Sequence, residues 1–283
     1  MKAMKKILCL VMALVLVVSL AACGNTAPKK AVVIDIDLTE EEYAFGVVKN
    51  DPQLLADCNA FIKEIMDNGT FDEICDKYFG DGTPTPVTSV AEDASKDQLV
   101  VATNAAFEPF EYTEGDKYLG VDMEIAALLA KKLNKELVIK NMDFDAVCLS
   151  VGQEKADIAM AGLTVKPDRE EYVTFSDSYY IASQRIIVKE GDTTFADCKT
   201  VEDLEKILNG FDKNVKIGVQ NGTTGQLYCE GDADWGFAGL PVTTVGYKNG
   251  SMAVQDMLNG NIDYVIIDSA PAAFITEALN EMA

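Results

Sequence analysis

Two hydrophobic periods run through this chain. Leu54, Leu55, Cys58, Phe61, Ile62 and Ile65 recur at spacings of three and four, which places them on one side of a helix over residues 52–68. Asn68-Gly69 stops that helix, and Phe71, Ile74, Tyr78 and Phe79 set a second, shorter one that ends at Gly80. Ile125, Leu128, Leu129 and Leu133 form the apolar face of another, with Asp122 expected as its cap. Short apolar runs predict strands at residues 31–36, 43–49, 99–103, 136–140, 157–161, 173–175 and 184–189, with a helix at 145–152. A second alternating set begins at Val201: helix, strand 215–219, helix from Thr223, strand 242–245, helix 252–258, strand 264–267 and a last helix from Pro271. Such alternation predicts an α/β fold with mostly parallel sheets, and two sets predict two lobes.

Composition breaks the pattern twice. Residues 81–97 (DGTPTPVTSVAEDASKD) hold two prolines and many small polar residues without an apolar period, which reads as a linker; a structured surface loop stays open. At the start, Lys2, Lys5 and Lys6 precede an apolar stretch over residues 7–20 that is too short for a comfortable membrane span. Residues 1–22 therefore read as an export signal. Leu20-Ala21-Ala22-Cys23 resembles the bacterial lipobox, which implies cleavage before Cys23, a diacylglycerol on its thiol and a tether over residues 23–30. An ordinary signal with a chance cysteine is the alternative.

Charge and residue usage narrow the chemistry. The 283 residues carry 46 acidic against 24 basic side chains, a formal net charge of −22. Such a surface repels nucleic acid and anionic lipid. No acidic cluster has the spacing of a calcium loop. There is no histidine, which removes Ser-His and Cys-His catalysis and the commonest zinc ligand. Arginine occurs only as Arg169 and Arg185, each a candidate for a planar, bidentate donor role, with a structural role equally open for Arg185. Beyond Cys23, the cysteines Cys58, Cys75, Cys148, Cys198 and Cys229 are odd in number and form no CxxC pair, so no metal or cofactor is expected. A Cys58–Cys75 bridge between two packed helices stays open.

The segments Val100-Val101-Ala102-Thr103-Asn104-Ala105-Ala106-Phe107-Glu108-Pro109-Phe110-Glu111-Tyr112 and Gly120-Val121-Asp122-Met123-Glu124 resemble the opening of bacterial periplasmic-type amino-acid-binding proteins of ABC transporters, the family 3 solute-binding proteins. Met142-Asp143-Phe144, Asp157 to Thr164, Arg169, Phe175 to Tyr180, Gly218 to Gly225 and Asp263 to Asp268 continue in the same order. The resemblance implies a two-lobed periplasmic-binding-protein-like fold with ligand in the cleft between lobes. One departure is large. Residues 42–49, 68–71 and 77–80 resemble the segment that closes the chain in that family, yet here it comes first. The resemblance therefore implies a circular permutant: residues 31–42 give a strand and crossover of lobe 2, 43–80 with 98–189 form lobe 1, 81–97 join the family's usual ends, and 190–283 complete lobe 2. Crossovers near Lys189 and Glu42 act as the hinge. A domain-swapped oligomer is the rival; a monomer is expected.

A free amino acid brings a carboxylate and an ammonium, and a receptor that buries both must pair both. Arg169 has the fork for the carboxylate, and the resemblance places the clamp there. Thr223 and Thr224, at a helix start, offer free N–H groups to the same carboxylate; an ordinary helix-starting turn is the plainer reading. Asp268, at the end of an apolar run, suits the ammonium, with a helix-capping role as the alternative. The resemblance adds the Gly162 carbonyl and Thr164 hydroxyl to that cage and sets Phe107 and Phe144 as a ligand sandwich, although each aromatic alone fits core packing. Asn104, Phe107, Phe144, Gln220 and Ile267 are expected around the ligand side chain. The neutral amide at Asn104, where relatives preferring cationic ligands tend to carry an acid, points to a neutral or polar side chain.

The reading is a lipid-anchored, extracytoplasmic receptor for a free L-amino acid, delivering to ABC permease subunits, and not an enzyme. An extracellular amino-acid sensor and a dehydratase- or lyase-like enzyme on the same fold are the alternatives.

Overall fold

The structure is a computed structural model that describes residues 30–283. The export signal, the lipidated Cys23 and most of the tether expected from the sequence lie outside the described residues. Strands β1 (Ala31–Val33), β2 (Glu41–Tyr43) and β3 (Gly46–Val48) lead to helices α1 (Pro52–Asp67) and α2 (Thr70–Phe79). Strand β4 (Gln98–Thr103), the hairpin β5 (Tyr112–Glu114) and β6 (Lys117–Leu119), α3 (Val121–Lys132), β7 (Glu136–Asn141), α4 (Val147–Gly152), β8 (Ile158–Ala159), β9 (Val173–Phe175), β10 (Tyr180–Ala182) and β11 (Gln184–Lys189) follow. The remainder is α5 (Val201–Leu208), β12 (Lys216–Gln220), α6 (Thr224–Glu230), β13 (Thr243–Tyr247), α7 (Gly250–Asn259), β14 (Tyr264–Asp268) and α8 (Ser269–Glu281).

These strands build two five-stranded sheets, ordered β7-β4-β8-β3-β9 and β1-β11-β14-β12-β13. The expectation of mostly parallel sheets needs correction. In the first, β4 runs parallel to β7 and β8, but β3 is antiparallel to β8 and β9. In the second, β12 is parallel to β13 and β14, but β11 is antiparallel to β14 and β1. The reversed strands are those next to the crossings between sheets, where the chain returns rather than winding through another helix.

The crossings form a narrow ribbon in which β2 pairs antiparallel with β10, Tyr43 opposite Tyr180 and Glu41 opposite Ala182. Strand β11, assigned to the first lobe from the sequence, hydrogen-bonds in the second sheet, so the chain crosses at Ser183 rather than near Lys189. Nothing local marks the switch, because Ile186, Ile187 and Val188 would be buried equally well in either sheet.

Helix α1 starts where Asp51 accepts a hydrogen bond from Leu54 N at 2.9 Å and Pro52 supplies a preset φ. It buries Leu54, Cys58, Phe61, Ile62 and Ile65 on the apolar stripe read from the sequence. Each large side chain so buried is worth about 1.5–3 kcal/mol of transfer free energy. Glu124 of α3 then gathers three donors from the α2 end of the chain: Lys77 Nζ at 2.5 Å, the Tyr78 hydroxyl at 2.7 Å and Thr85 N at 2.9 Å. Residues 81–97 form no long element, but they are fixed along the β5–β6 hairpin and the first sheet. Val87 bridges Tyr118, Val90 N donates to Leu137 O at 3.0 Å, and Ser89 accepts from Ile139 N at 2.8 Å. The segment is a structured surface loop of the kind left open above. At the other sheet, Asn280 of α8 both accepts from Ala31 N and donates to Ala31 O, each at 2.9 Å, tying β1 to the last helix.

Asp122 does not cap α3. Gly120 holds the cap position with φ +120°, and a Cβ there would run into the Phe110 carbonyl. Asp122 instead points inward, accepting from Gly162 N at 2.9 Å and from the Tyr179 hydroxyl at 2.7 Å. Cys58, Cys75, Cys148, Cys198 and Cys229 are all thiols, so the Cys58–Cys75 bridge does not form. Arg185 is structural: it pairs with Asp35 at 2.5 Å and Asp37 at 2.6 Å on the connection between β1 and β2.

Candidate functional site

The C-terminal ends of β4, β8, β12 and β14 face one another across the cleft between the two sheets. Arg169 sits in the single turn after β8 and is buried. Its Nη1 donates to Thr164 O at 2.7 Å, and its Nη2 crosses the cleft to Gly222 O at 3.0 Å. The guanidinium lies 5.2 Å from the centre of the Phe144 ring, a cation–π contact that holds the fork flat. Three of its five N–H groups lie outside those bonds.

Asp268 ends β14 with its side chain buried. It stands at the cap position of α8, yet the side chain makes no capping bond. Its Oδ1 accepts instead from the Tyr43 hydroxyl at 2.5 Å. Burial, and next the nearby Glu41 carboxylate, raise its pKa to about 7. An ammonium beside it would reverse that rise.

Thr164 and Thr224 meet across the cleft, Thr224 Oγ1 donating to Thr164 Oγ1 at 3.3 Å. Thr223, at the cap of α6, turns its hydroxyl back to Gln220 O at 2.8 Å. Helix α6 has only seven residues, so its dipole is small. Gly162 has φ +53°, and a Cβ there would sit 2.9 Å from Phe107 Cε1 and 3.2 Å from Tyr43 Cε2, so glycine is required. Asn104 donates to Met142 O at 2.7 Å and accepts from Gln220 Nε2, in the opposite lobe, at 3.1 Å. Gln220 Oε1 is buried and has no partner among the described residues.

Arg169, Asp268, Thr164, Gly162, Thr223, Thr224, Asn104 and Gln220 are thus all placed along this cleft. Phe107 is buried against Phe110, with 6.1 Å between ring centres, and Phe144 lies under Arg169. Ile267 is different. Its side chain packs against Gly250 of α7 in the core, on the face of β14 away from Asp268.

Behind the cleft lies a group of buried residues to which sequence reasoning gave no site role, apart from Glu111, which was expected to alter the ligand preference if it pointed inward. Glu41, Tyr43, Glu111, Asp122, Tyr179 and Gln184 are all nearly inaccessible. Both oxygens of Glu111 lack a hydrogen-bond partner among the described residues, and burial holds its carboxyl well above the usual range, with the charges of Asp122 and Asp268 adding to the rise. Burial likewise pushes Asp122 up to about 6, against the hydrogen bonds it accepts. The alternation of Glu41, Tyr43 and Phe45 on one side of an extended segment was the available signal; Glu41 was hidden in an acidic run that reads as solvated. Lys166 was also missed. It is buried, and its Nζ pairs with Asp168 at 2.8 Å and, across the cleft, with Asp232 at 3.4 Å. Lys248 and Asp143 make a second cross-cleft pair at 3.1 Å, exposed at the rim.

Two α/β lobes joined by a two-strand ribbon, with buried paired polar groups between them, define a two-lobed periplasmic-binding-protein-like fold. Residues 99–269 match the bacterial extracellular solute-binding proteins, family 3, and the chain belongs to that family. The arginine-binding extracellular protein ArtP of Bacillus subtilis is 38% identical over 98 residues, 35% of this chain and 38% of its own length. A putative ABC transporter arginine-binding protein 2 of Escherichia coli is 31% identical over 181 residues, 64% of this chain and 65% of its own. The chain thus spans less than two thirds of these relatives. Among solved structures, an ancestral arginine-binding protein bound to arginine matches with TM-score 0.54 and 34% identity, and an ancestral arginine-binding protein bound to glutamine with 0.53 and 33%. Each match covers 65% of this chain and 76% of that one.

Proposed function

We propose that this protein is the ligand-capturing receptor of an ABC importer, binding one free L-amino acid by closure of its lobes, without chemistry. The observation that carries the reading is the arrangement of Arg169 and Asp268. A buried fork with spare donors stands in one lobe and a buried carboxylate ends a strand in the other, as a zwitterion requires. Arg169, Asp268, Thr164, Gly162, Thr223, Thr224, Phe107, Phe144, Asn104 and Gln220 form the proposed site. Ile267 supports it only through packing.

The ligand side chain is a neutral, polar one in this reading. The Asn104–Gln220 amide pair carries no charge, and the free Gln220 Oε1 calls for an N–H donor. A carboxamide satisfies it. The relatives named for arginine favour a second reading, since a guanidinium also supplies N–H donors. Ancestral arginine-binding proteins solved bound to arginine and bound to glutamine are compatible with either.

The pairing of β2 and β3 with later strands, and of α2 with α3, supports a circular permutation; light scattering that gives a dimer in solution would favour a swap between chains instead. The lipobox-like Leu20-Ala21-Ala22-Cys23 supports a lipid anchor on the outer face of the cell membrane. A thermal-shift panel of the twenty L-amino acids tests the function. Ligand at about 1,000 times its Kd adds about 4 kcal/mol to stability. One or two hits are expected, lost in Arg169→Ala; no shift from a folded protein would overturn the reading.

A further inference from the structure

We propose that Glu41 is a positioning residue that fixes the proton of Thr164, making that hydroxyl an obligatory acceptor toward the ligand ammonium and toward Thr224. The inference rests on the amino-acid reading of the cleft and goes one step behind it, to a residue outside the proposed site.

Glu41 lies on the crossing ribbon and is 2% exposed. Three donors converge on its carboxylate. Thr164 Oγ1 reaches Oε2 at 2.8 Å, while the Thr39 hydroxyl at 2.7 Å and Gln184 Nε2 at 3.0 Å reach Oε1. A threonine hydroxyl has one proton and two lone pairs. The Thr164 proton goes to Glu41, because a carboxylate only accepts. One lone pair takes the Thr224 hydroxyl, and the other is left for a ligand N–H. The proton of Thr39 is fixed by the same logic, since Thr39 Oγ1 already accepts from Gln184 N at 2.9 Å.

This wiring dictates what Glu41→Gln does. Two donors on the Oε1 side demand an acceptor, so the new amide must turn its oxygen there. Its NH2 then faces Thr164 and donates to it. The Thr164 proton is displaced toward the cleft, where it either meets the ligand ammonium donor to donor or turns to Thr224 Oγ1 and reverses that bond. Shape and packing are kept while the polarity at Thr164 is reversed, in a buried place where a mismatch is costly. The charge also removed beside Asp268 eases that carboxylate's ionisation, which favours an ammonium and acts alike with and without the Thr164 hydroxyl.

Calorimetry on the full chain and on Glu41→Gln tests this, using the twenty L-amino acids and, for each that binds, its 2-hydroxy-acid counterpart. The expected result is a loss of about ten- to a hundredfold in amino-acid affinity. The hydroxy acid, whose hydroxyl can accept as well as donate, should lose much less, so discrimination between the two collapses. The loss should also vanish in a Thr164→Val background, where no hydroxyl remains to be turned. Glu41→Gln that folds and keeps both affinity and discrimination would overturn the assignment, as would an equal loss with and without Thr164. A wild-type protein that binds none of the panel would overturn the receptor reading itself, a separate outcome.

Discussion

The Tyr43 hydroxyl donates to Asp268 at 2.5 Å, although 225 residues separate them. The bond joins the crossing ribbon to the end of the central strand of the second sheet, deep behind the cleft. It opposes the upward push that burial and Glu41 exert on the Asp268 carboxyl. Replacing Tyr43 by Phe removes the donor and little volume. Asp268 should then hold its proton to higher pH, and amino-acid affinity at pH 7 should fall about tenfold. Calorimetry of Tyr43→Phe at pH 7 and 8.5 checks this, with part of the loss recovered at the higher pH.

Ligand affinity should itself depend on pH. Asp268 titrates near 7 without ligand, and only its charged form pairs an ammonium. Affinity should therefore rise as pH increases from about 6 to 8 and then level. Asp268→Asn, with no charge to gain, should bind weakly and lose that slope.

Stability of the ligand-free protein should run the other way. Asp268 and Asp122 hold their protons to about 7 and about 6 in the folded chain, but release them near 3.8 when unfolded. Between those values the folded state binds more protons, so stability is greatest at the acidic end and falls as pH rises from about 4 to 7. Scanning calorimetry should give a melting temperature several degrees lower at pH 7.5 than at 5. A flat or rising profile would contradict the burial assigned to these acids.

Arg169→Lys should abolish tight binding nearly as well as Arg169→Ala. Lysine keeps the charge but cannot bond Thr164 O and Gly222 O at once and still offer a paired face to a carboxylate. A loss of about a hundredfold or more is expected by calorimetry. Full activity of the lysine variant would show that charge alone suffices.

Lys166→Met should speed ligand release without touching the ligand. Lys166 is buried, and its contact with Asp232 at 3.4 Å exists only when the lobes meet. Removing it leaves Asp232 without its cross-cleft partner and weakens the closed state, which should appear in the dissociation rate rather than the association rate. Stopped-flow measurement separates the two.

The sequence by itself determined the local elements and the chemistry available. The three-and-four spacing of Leu54, Cys58, Phe61 and Ile65 is enough for α1, because a helix needs only neighbours along the chain to set its buried face. Absent histidine removed whole mechanisms, and the scarcity of arginine singled out Arg169. Tertiary structure decided where the elements meet. Whether β11 joins the first sheet or the second depends on pairing with β14 and β1, to which Ile186 and Val188 are indifferent. Ile267 and Asp268 are adjacent in sequence, yet the pleat sends one into the core and the other to the cleft. Glu41 reads as one of several exposed acids until the ribbon of β2 and β10 folds it under Thr164 and Gln184. A carboxylate's role is set by the donors around it, and two of the three on Glu41 lie 123 and 143 residues away.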